Sequence, residues 1–444
     1  MQIDIIISSL DIVLLIYIVF STIDKLKFIR ENQFIPTAFI LFFVLCISHV
    51  LPIYLGRISV EGVEKFHLGV TSRVLGESSQ PWVFLFYRIM IFAVLLVISC
   101  FGTNGKTVRS FENDITTRFI VTGRSSHAVF FCWFIFMLSP LCVFISPDPF
   151  LYFQVYGTPI LRADASEHPA LFLERHIIIS YICVMGIGLF SLIYWFHVRA
   201  TRTVFYPPMI FGMMLAGLLI MIEGKRNTVF LLFLIVLLIT YYETRIKAVT
   251  IYVLLFLGLM VFFVIYPYFG KADVDVTYEN SQNTFFRDNI TLPCIANSHL
   301  TDNDIMKRGN GAVFVVSMFV PRKFYPLKPY PSSHYVTNYL IGRGDDEIGW
   351  GYGVGFLEEG LVNFGWLGVL FYTMGMIVCC RLVDRQMIRY GSAMTLLQGL
   401  LAFSCLFSAH VVIRLFLLGG LPLLVFWKYL FRESDVYRQP CARE

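Results

Sequence analysis

Apolar runs of 17–25 residues alternate with short polar stretches through most of this chain. A run of that length crosses the hydrocarbon of a bilayer as an α-helix, the one open-ended shape that satisfies its own backbone there. The pattern predicts eleven spanning helices, at 4–22, 35–56, 81–101, 127–147, 176–196, 205–223, 228–242, 249–269, 357–380, 393–413 and 415–431. The seventh is short, and Glu174-Arg175 leaves the start of the fifth open. Met1–Thr22 lacks a basic leader region and a small-residue cleavage site, so it reads as a retained first span.

Lysine and arginine in the short connections set the orientation. One set of connections holds 18 of them, including Lys25, Lys27, Arg109, Arg199, Arg385 and Lys428, and the opposite set holds 8. The richer side is expected to be cytoplasmic. The N-terminus is then outside, the C-terminus inside, and the loop from Gly270 to Ile348 outside. The expected organisation is a bundle of eight spans over 1–269, an outer loop over 270–348, and spans nine to eleven with a cytoplasmic tail over 349–444. The loop mixes charge with aromatics, which argues against disorder. Its apolar stretch Val313–Val320 predicts a short interfacial segment.

Composition agrees with the pattern. The chain of 444 residues is 57% hydrophobic and only 15% charged, against about a quarter charged in soluble domains. Its net charge of +5 is spread along the chain and excludes a nucleic-acid footprint. The ten cysteines form no CxxC or Cys/His cluster. Most lie in apolar runs, where cysteine behaves as a small hydrophobe.

Five groups of residues have the chemistry for a site. Glu223-Gly224-Lys225-Arg226-Asn227 puts two cations in a tight outer turn, a phosphate clamp with bidentate Arg226 or a solvated hairpin tip. Phe285-Phe286-Arg287-Asp288-Asn289 reads as a surface ion pair or as an aromatic edge for lipid or a sugar face. Val320-Pro321-Arg322-Lys323-Phe324-Tyr325-Pro326-Leu327-Lys328-Pro329 reads as a rigid extended strap presenting Arg322, Lys323 and Lys328 to an anionic substrate or to lipid headgroups. Glycines at 349, 351, 353 and 355 lead into Glu358-Glu359 and Asn363-Phe364-Gly365. There a helix start meets a candidate general base, or two acids that merely suit the helix dipole. Last come His410 and Arg414 between the final spans, with Arg88 deep in the third. An ionisable residue at such depth is by default a functional hypothesis. The pairs Asp273/Asp275 and Asp302/Asp304 have metal-ligand spacing but read more simply as solvated loop carboxylates.

In their order and placement, Gly224-Lys225-Arg226-Asn227, the segment from Val320 to Pro329, Gly355–Glu359, Asn363-Phe364-Gly365 and Arg414 resemble the Wzy-type polymerases of bacterial O-antigen and related surface polysaccharides. The likeness of layout covers nearly the whole chain, and the residue-level match is confined to those short segments. The resemblance implies a GT-C-like multi-helix fold in the bacterial inner membrane and a glycosyltransferase acting at the periplasmic face. Donor and acceptor would both be undecaprenyl-diphosphate-linked oligosaccharides, with a chain-length-regulating co-polymerase as partner and membrane lipid around the bundle. Carried onto this chain, Arg226 and Arg414 would hold diphosphate, with Lys225, Arg322 and Lys328 in support. Glu359 would stand in the acidic position before Asn-Phe-Gly. Arg287 and His410 complete the expected substrate contacts, and neither a cofactor nor a metal is expected. Lys225 departs from the small residue often found before the family's arginine. An O-antigen ligase shares this donor. A lipid-linked-sugar transporter would share the multi-spanning layout but should show inverted repeats or paired broken helices.

Overall fold

The computed structural model describes residues 2–55, 81–101, 123–154, 159–201, 206–244, 310–317, 324–341 and 354–404, with scattered positions between 203 and 320. Among these residues the secondary structure is helical, with no strand. Among the described residues six helices are long and apolar enough to cross a membrane: Ile3–Asn32, Thr37–Tyr54, Trp82–Phe101, His127–Ile145, Leu171–Thr201 and Phe356–Ile388. Three shorter apolar helices, Pro207–Glu223, Thr228–Thr244 and Thr395–Ser404, lie over further predicted spans. The predicted spans at 249–269 and 415–431 fall mainly or wholly outside the described residues. The chain is an α-helical membrane protein.

Two compact units interleave along the sequence. One comprises Met1–Gly105, Val276–Asp384 and Leu401–Ile413; the other comprises Lys106–Asp275, Arg385–Leu400 and Arg414–Glu444.

In the first unit, helix α1 (Gln2–Asn32) turns most of its surface outward, with Ile5, Ile12, Ile16 and Phe20 exposed. That pattern suits a helix whose solvent is lipid. Its inner stripe meets α3 (Pro81–Phe101), where Tyr17 donates to the carbonyl of Leu95 at 3.3 Å. Helix α2 (Thr37–Tyr54) widens to a π turn at Cys46–Val50. Pro52 follows and has no N–H for the ordinary α ladder. Leu51 instead bonds back five residues to Cys46. The N-terminus of α2 is satisfied from afar: Thr37 gives its N–H and its hydroxyl to Asp384, at 2.9 and 2.5 Å.

Several sequence expectations are corrected here. Helix α1 runs on to Asn32, so Lys25 is not a loop cation. It is buried, bonded to Ser99 at 3.1 Å and lying 4.1 Å from the ring centre of Phe42. The predicted continuous span 357–380 is broken. Within Phe356–Tyr390, Gly365 has φ 64° and ψ −153°, a region essentially reserved for glycine. The strap is not extended through its described part. Lys328 N–H bonds the carbonyl of Tyr325 at 3.1 Å, closing a turn with Pro326 at its second position, where proline's fixed φ favours turning.

In the second unit, α4 (Gly123–Leu138) tightens into a 3₁₀ segment, Ser139–Ile145. After the short helices α5 (Leu151–Gln154) and α6 (Pro159–Asp164), the long α7 (Pro169–Thr201) forms the centre. Helices α8 (Pro207–Glu223) and α9 (Arg226–Thr244) both pack against α7. Helix α7 starts at Pro169, well before the expected residue 176, so Arg175 and His176 are helical. Glu243 is a buried hub at the far end of α9, accepting from Trp195 at 3.0 Å, from Arg199 at 3.2 Å and from Ser392.

Candidate functional site

Among the described residues each unit carries a buried polar cluster that includes residues singled out from the sequence.

The cluster of the second unit is built around the turn Gly224–Asn227. Gly224 ends α8 in the left-handed conformation, φ 70°, with its N–H on the carbonyl of Ile220 at 2.9 Å. Glycine enters that conformation without steric cost, which is why the helix stops there. Arg226 is the first residue of α9. Lys225 lies in the turn itself, its side chain 41% exposed, with Nζ 3.9 Å from Oε1 of Glu223. The Glu223 carboxylate is buried and accepts from Thr228 at 2.7 Å and from Ser180 at 3.2 Å.

Behind the turn sits Arg162, which is 0% exposed. Its guanidinium donates to the carbonyls of Ile222 at 2.6 Å and Met221 at 2.7 Å and lies 4.9 Å from the ring centre of Tyr152. The last carbonyls of a helix lack intrahelical partners and carry the negative end of its dipole, so a cation there is doubly favoured. Tyr152 in turn meets His176 Nδ1 at 3.1 Å and stacks on Phe172 and His176. Burial pushes the Tyr152 phenol up to about 12, against the opposing pull of the Arg162 cation. The turn is thus braced, with the Glu223 carboxylate and the Arg162 guanidinium packed against the helix that leads into it and Lys225 exposed upon it.

The cluster of the first unit centres on Glu359 and Asn363. Helix α10 (Asn310–Ser317), helix α11 (Ser332–Ile341) and the arm Phe356–Phe364 converge there. Glu359, 2% exposed, has Oε1 3.4 Å from the hydroxyl of Ser332. Asn363, also buried, accepts the N–H of Gly311 at 3.0 Å and donates to the carbonyl of Glu359 at 2.9 Å. Its Nδ2 also lies 3.5 Å from the hydroxyl of Tyr372. A Cβ on Gly311 would lie 2.4 Å from Ser332 Oγ and 2.7 Å from Asn363 Nδ2, so any larger residue there must displace these two side chains. Two helices of the long loop are therefore pinned to the arm that bears Glu359. Helix α10 overlaps the apolar stretch 313–320, beginning three residues earlier and ending at Ser317.

The expected site residues do not all fall in one unit: Glu359 belongs to the first, Lys225 and Arg226 to the second. Lys328 folds back on its own turn, bonding the carbonyl of Val320 at 3.0 Å and lying 5.4 Å from the ring centre of Phe314. Arg287, Arg322, His410 and Arg414 lie outside the described residues, as do Asp273, Asp275, Asp302 and Asp304. Arg88 pairs through Nε with Asp11 at 2.6 Å and donates to the carbonyl of Phe84. This partly buried pair ties α3 to α1 and gives each of the two charges a partner. An acid inside the predicted first span and a lone base in the third were the available signal. Arg162 and Ser332 gave no comparable signal, and Glu223 stood in the turn group without a role of its own, because these roles come from non-local neighbours.

Comparison of the chain with protein-family models, with curated proteins and with solved structures finds no match.

Proposed function

We propose that this protein is a glycosyltransferase that joins undecaprenyl-diphosphate-linked oligosaccharide repeat units into a surface polysaccharide, without a metal, at the periplasmic face of the bacterial inner membrane. The observation that carries this reading is Glu359, whose buried carboxylate accepts from Ser332 of the long loop and whose backbone carbonyl accepts from Asn363. In this reading the fold is GT-C-like with eleven spans, the N-terminus is periplasmic and the C-terminus cytoplasmic.

The chemistry follows from charge. A hydroxyl of the acceptor unit attacks the anomeric carbon of the donor chain and its proton passes to Glu359. The bond from that carbon to the phosphate oxygen breaks, and its electron pair leaves with the lipid diphosphate. Cations preorganised around the departing diphosphate act where negative charge develops. In this reading Arg226 and Arg414 take that role, with Lys225, Arg322 and Lys328 in support and Arg287 and His410 as further substrate contacts. The packed carboxylate and guanidinium under the Gly224–Asn227 turn support this, since a braced turn loses little entropy on binding.

Purified protein in vesicles with lipid-linked repeat units should form longer glycans in excess chelator. Glu359→Gln and Arg226→Ala should each lose chain growth, and Arg226→Lys should recover part of it, since an ammonium lacks the bidentate fork. Full chain growth by Glu359→Gln removes the carboxylate from the mechanism. The break at Gly365 favours one second reading, a lipid-linked-sugar transporter, because such proteins build sites on interrupted helices. Passage of a labelled lipid-linked unit across the vesicle without chain growth would select it.

A further inference from the structure

The conformation of Gly365 reverses the chain. On either side of it Gly360 and Gly368, eight residues apart, meet backbone to backbone. A Cβ on Gly360 would lie 2.7 Å from the carbonyl oxygen of Gly368, and a Cβ on Gly368 would collide with that of Gly360. In one straight helix these residues would stand about 12 Å apart along the axis. Phe356–Phe364 and the segment after Gly365 are therefore the two arms of a tight hairpin, with glycines where the backbones touch, as in close-packed membrane helices.

The second arm shows where lipid lies. Gly365–Cys380 contains no charged residue, and Leu367, Leu370, Phe371, Val378 and Leu382 are exposed along it. About 20 residues of helix cross the hydrocarbon. Charge returns at Arg381, followed by Asp384 and Arg385, and about 20 residues counted from Gly365 end among these charges. The hairpin tip thus lies at one membrane interface. The first arm has the opposite exposure, with every residue from Val354 to Asn363 buried. Polar side chains at membrane depth require that shielding.

We infer that Phe356–Phe364 is a re-entrant arm, folded back into the membrane thickness beside its own span, so that Glu358, Glu359 and Asn363 form a polar site sunk below the interface on the loop side. Glu359 then lies about 6 Å below the level of Gly365, four residue rises down the second arm. The site takes the hydroxyl-bearing headgroup of an amphiphile, whose tail stays in lipid at the same depth. That choice of ligand rests on the function proposed above; the depth of the arm does not.

The test is a nitroxide depth scan in phosphatidylcholine vesicles, with no turnover measured. Leu367→Cys and Val378→Cys are introduced separately into the full chain with its native cysteines replaced. Each is spin-labelled, and collisions with oxygen and with a water-soluble nickel chelate are compared. Both positions are lipid-exposed, at 66% and 52%, and neither belongs to the buried cluster. A hairpin with its tip at the interface centres the span near residue 375 and makes Val378 the deeper site. A single span over 357–380 centres near residue 368 and makes Leu367 the deeper. Val378 deeper than Leu367, with a label at Phe364→Cys shallower than both, is the expected result. Leu367 as deep as Val378 or deeper overturns the re-entrant arm. Since neither label touches the chemistry, this outcome is independent of whether the vesicles elongate glycans.

Discussion

Arg162 reaches from α6 to the last turn of α8 and donates to the carbonyl of Ile222 at 2.6 Å, closing from behind the helix that leads into Gly224–Asn227. The contact spans 60 residues and buries the whole guanidinium. Arg162→Ala leaves two carbonyls and the Tyr152 ring without their cation. Loss of charged hydrogen bonds from a buried site costs about 2–4 kcal/mol. Thermal unfolding of the purified protein in detergent should show a clearly lowered midpoint for Arg162→Ala. Arg162→Lys should fall between, because one ammonium serves the two carbonyls less well than a planar fork. An unchanged midpoint in the alanine variant would remove Arg162 as the brace.

Gly365 and Gly368 predict a contrast within one element. Gly365→Ala places a Cβ in a conformation that costs on the order of 1–3 kcal/mol for any residue but glycine. Gly368→Leu forces the arms apart at the Gly360 carbonyl. Gly375 lies in the same helix with nothing within 4 Å of its Cβ position, so Gly375→Leu should be nearly neutral. Proteolysis and unfolding of the three variants should single out Gly375→Leu as the one that behaves like the parent.

Asn363 makes a sharper prediction than Glu359, because its amide uses both of its ends. Asn363→Asp keeps the acceptor for Gly311 but loses the donor to the Glu359 carbonyl and adds a charge beside a buried carboxylate. It should be worse for stability than Asn363→Ala, although it is closer in shape, since a buried uncompensated charge costs more than a missing hydrogen bond. Denaturant midpoints of the two variants check the order.

Tyr152 gives the pH dependence. Its folded phenol titrates near 12, above the ordinary value of 10.0, because burial disfavours the phenolate more than Arg162 favours it. Between those values the unfolded chain has lost the proton while the folded chain keeps it, so stability falls as pH rises. The contribution is complete below pH 10 and gone above about 12. Tyr152→Phe should flatten that part of the stability profile, measured by unfolding at a series of alkaline pH values. A profile that falls equally in both proteins would assign the alkaline loss to other groups.

The membrane class and most of the described helices were legible in the sequence, because hydrocarbon imposes a rule that composition alone obeys. Pro81–Phe101 begins and ends where the apolar run does, and α8 stops at the glycine that breaks it. The turn with Lys225 and Arg226 and the carboxylate at Glu359 were legible as chemistry for the same reason, since charges stand out against an apolar background. What each charge does was not legible. Arg88 looked like a functional cation until Asp11, 77 residues away, proved to be its partner. Lys25 looked like a loop residue until the packing of α1 enclosed it. Gly365 sits in an apolar run that reads as one span, and only the contact between Gly360 and Gly368 turns it into a reversal. Hydrophobicity is a local property summed along the chain, so sequence alone determines which segments leave water. Pairing of buried charges and reversal of a helix depend on residues distant in sequence meeting in space, and tertiary structure alone decides them.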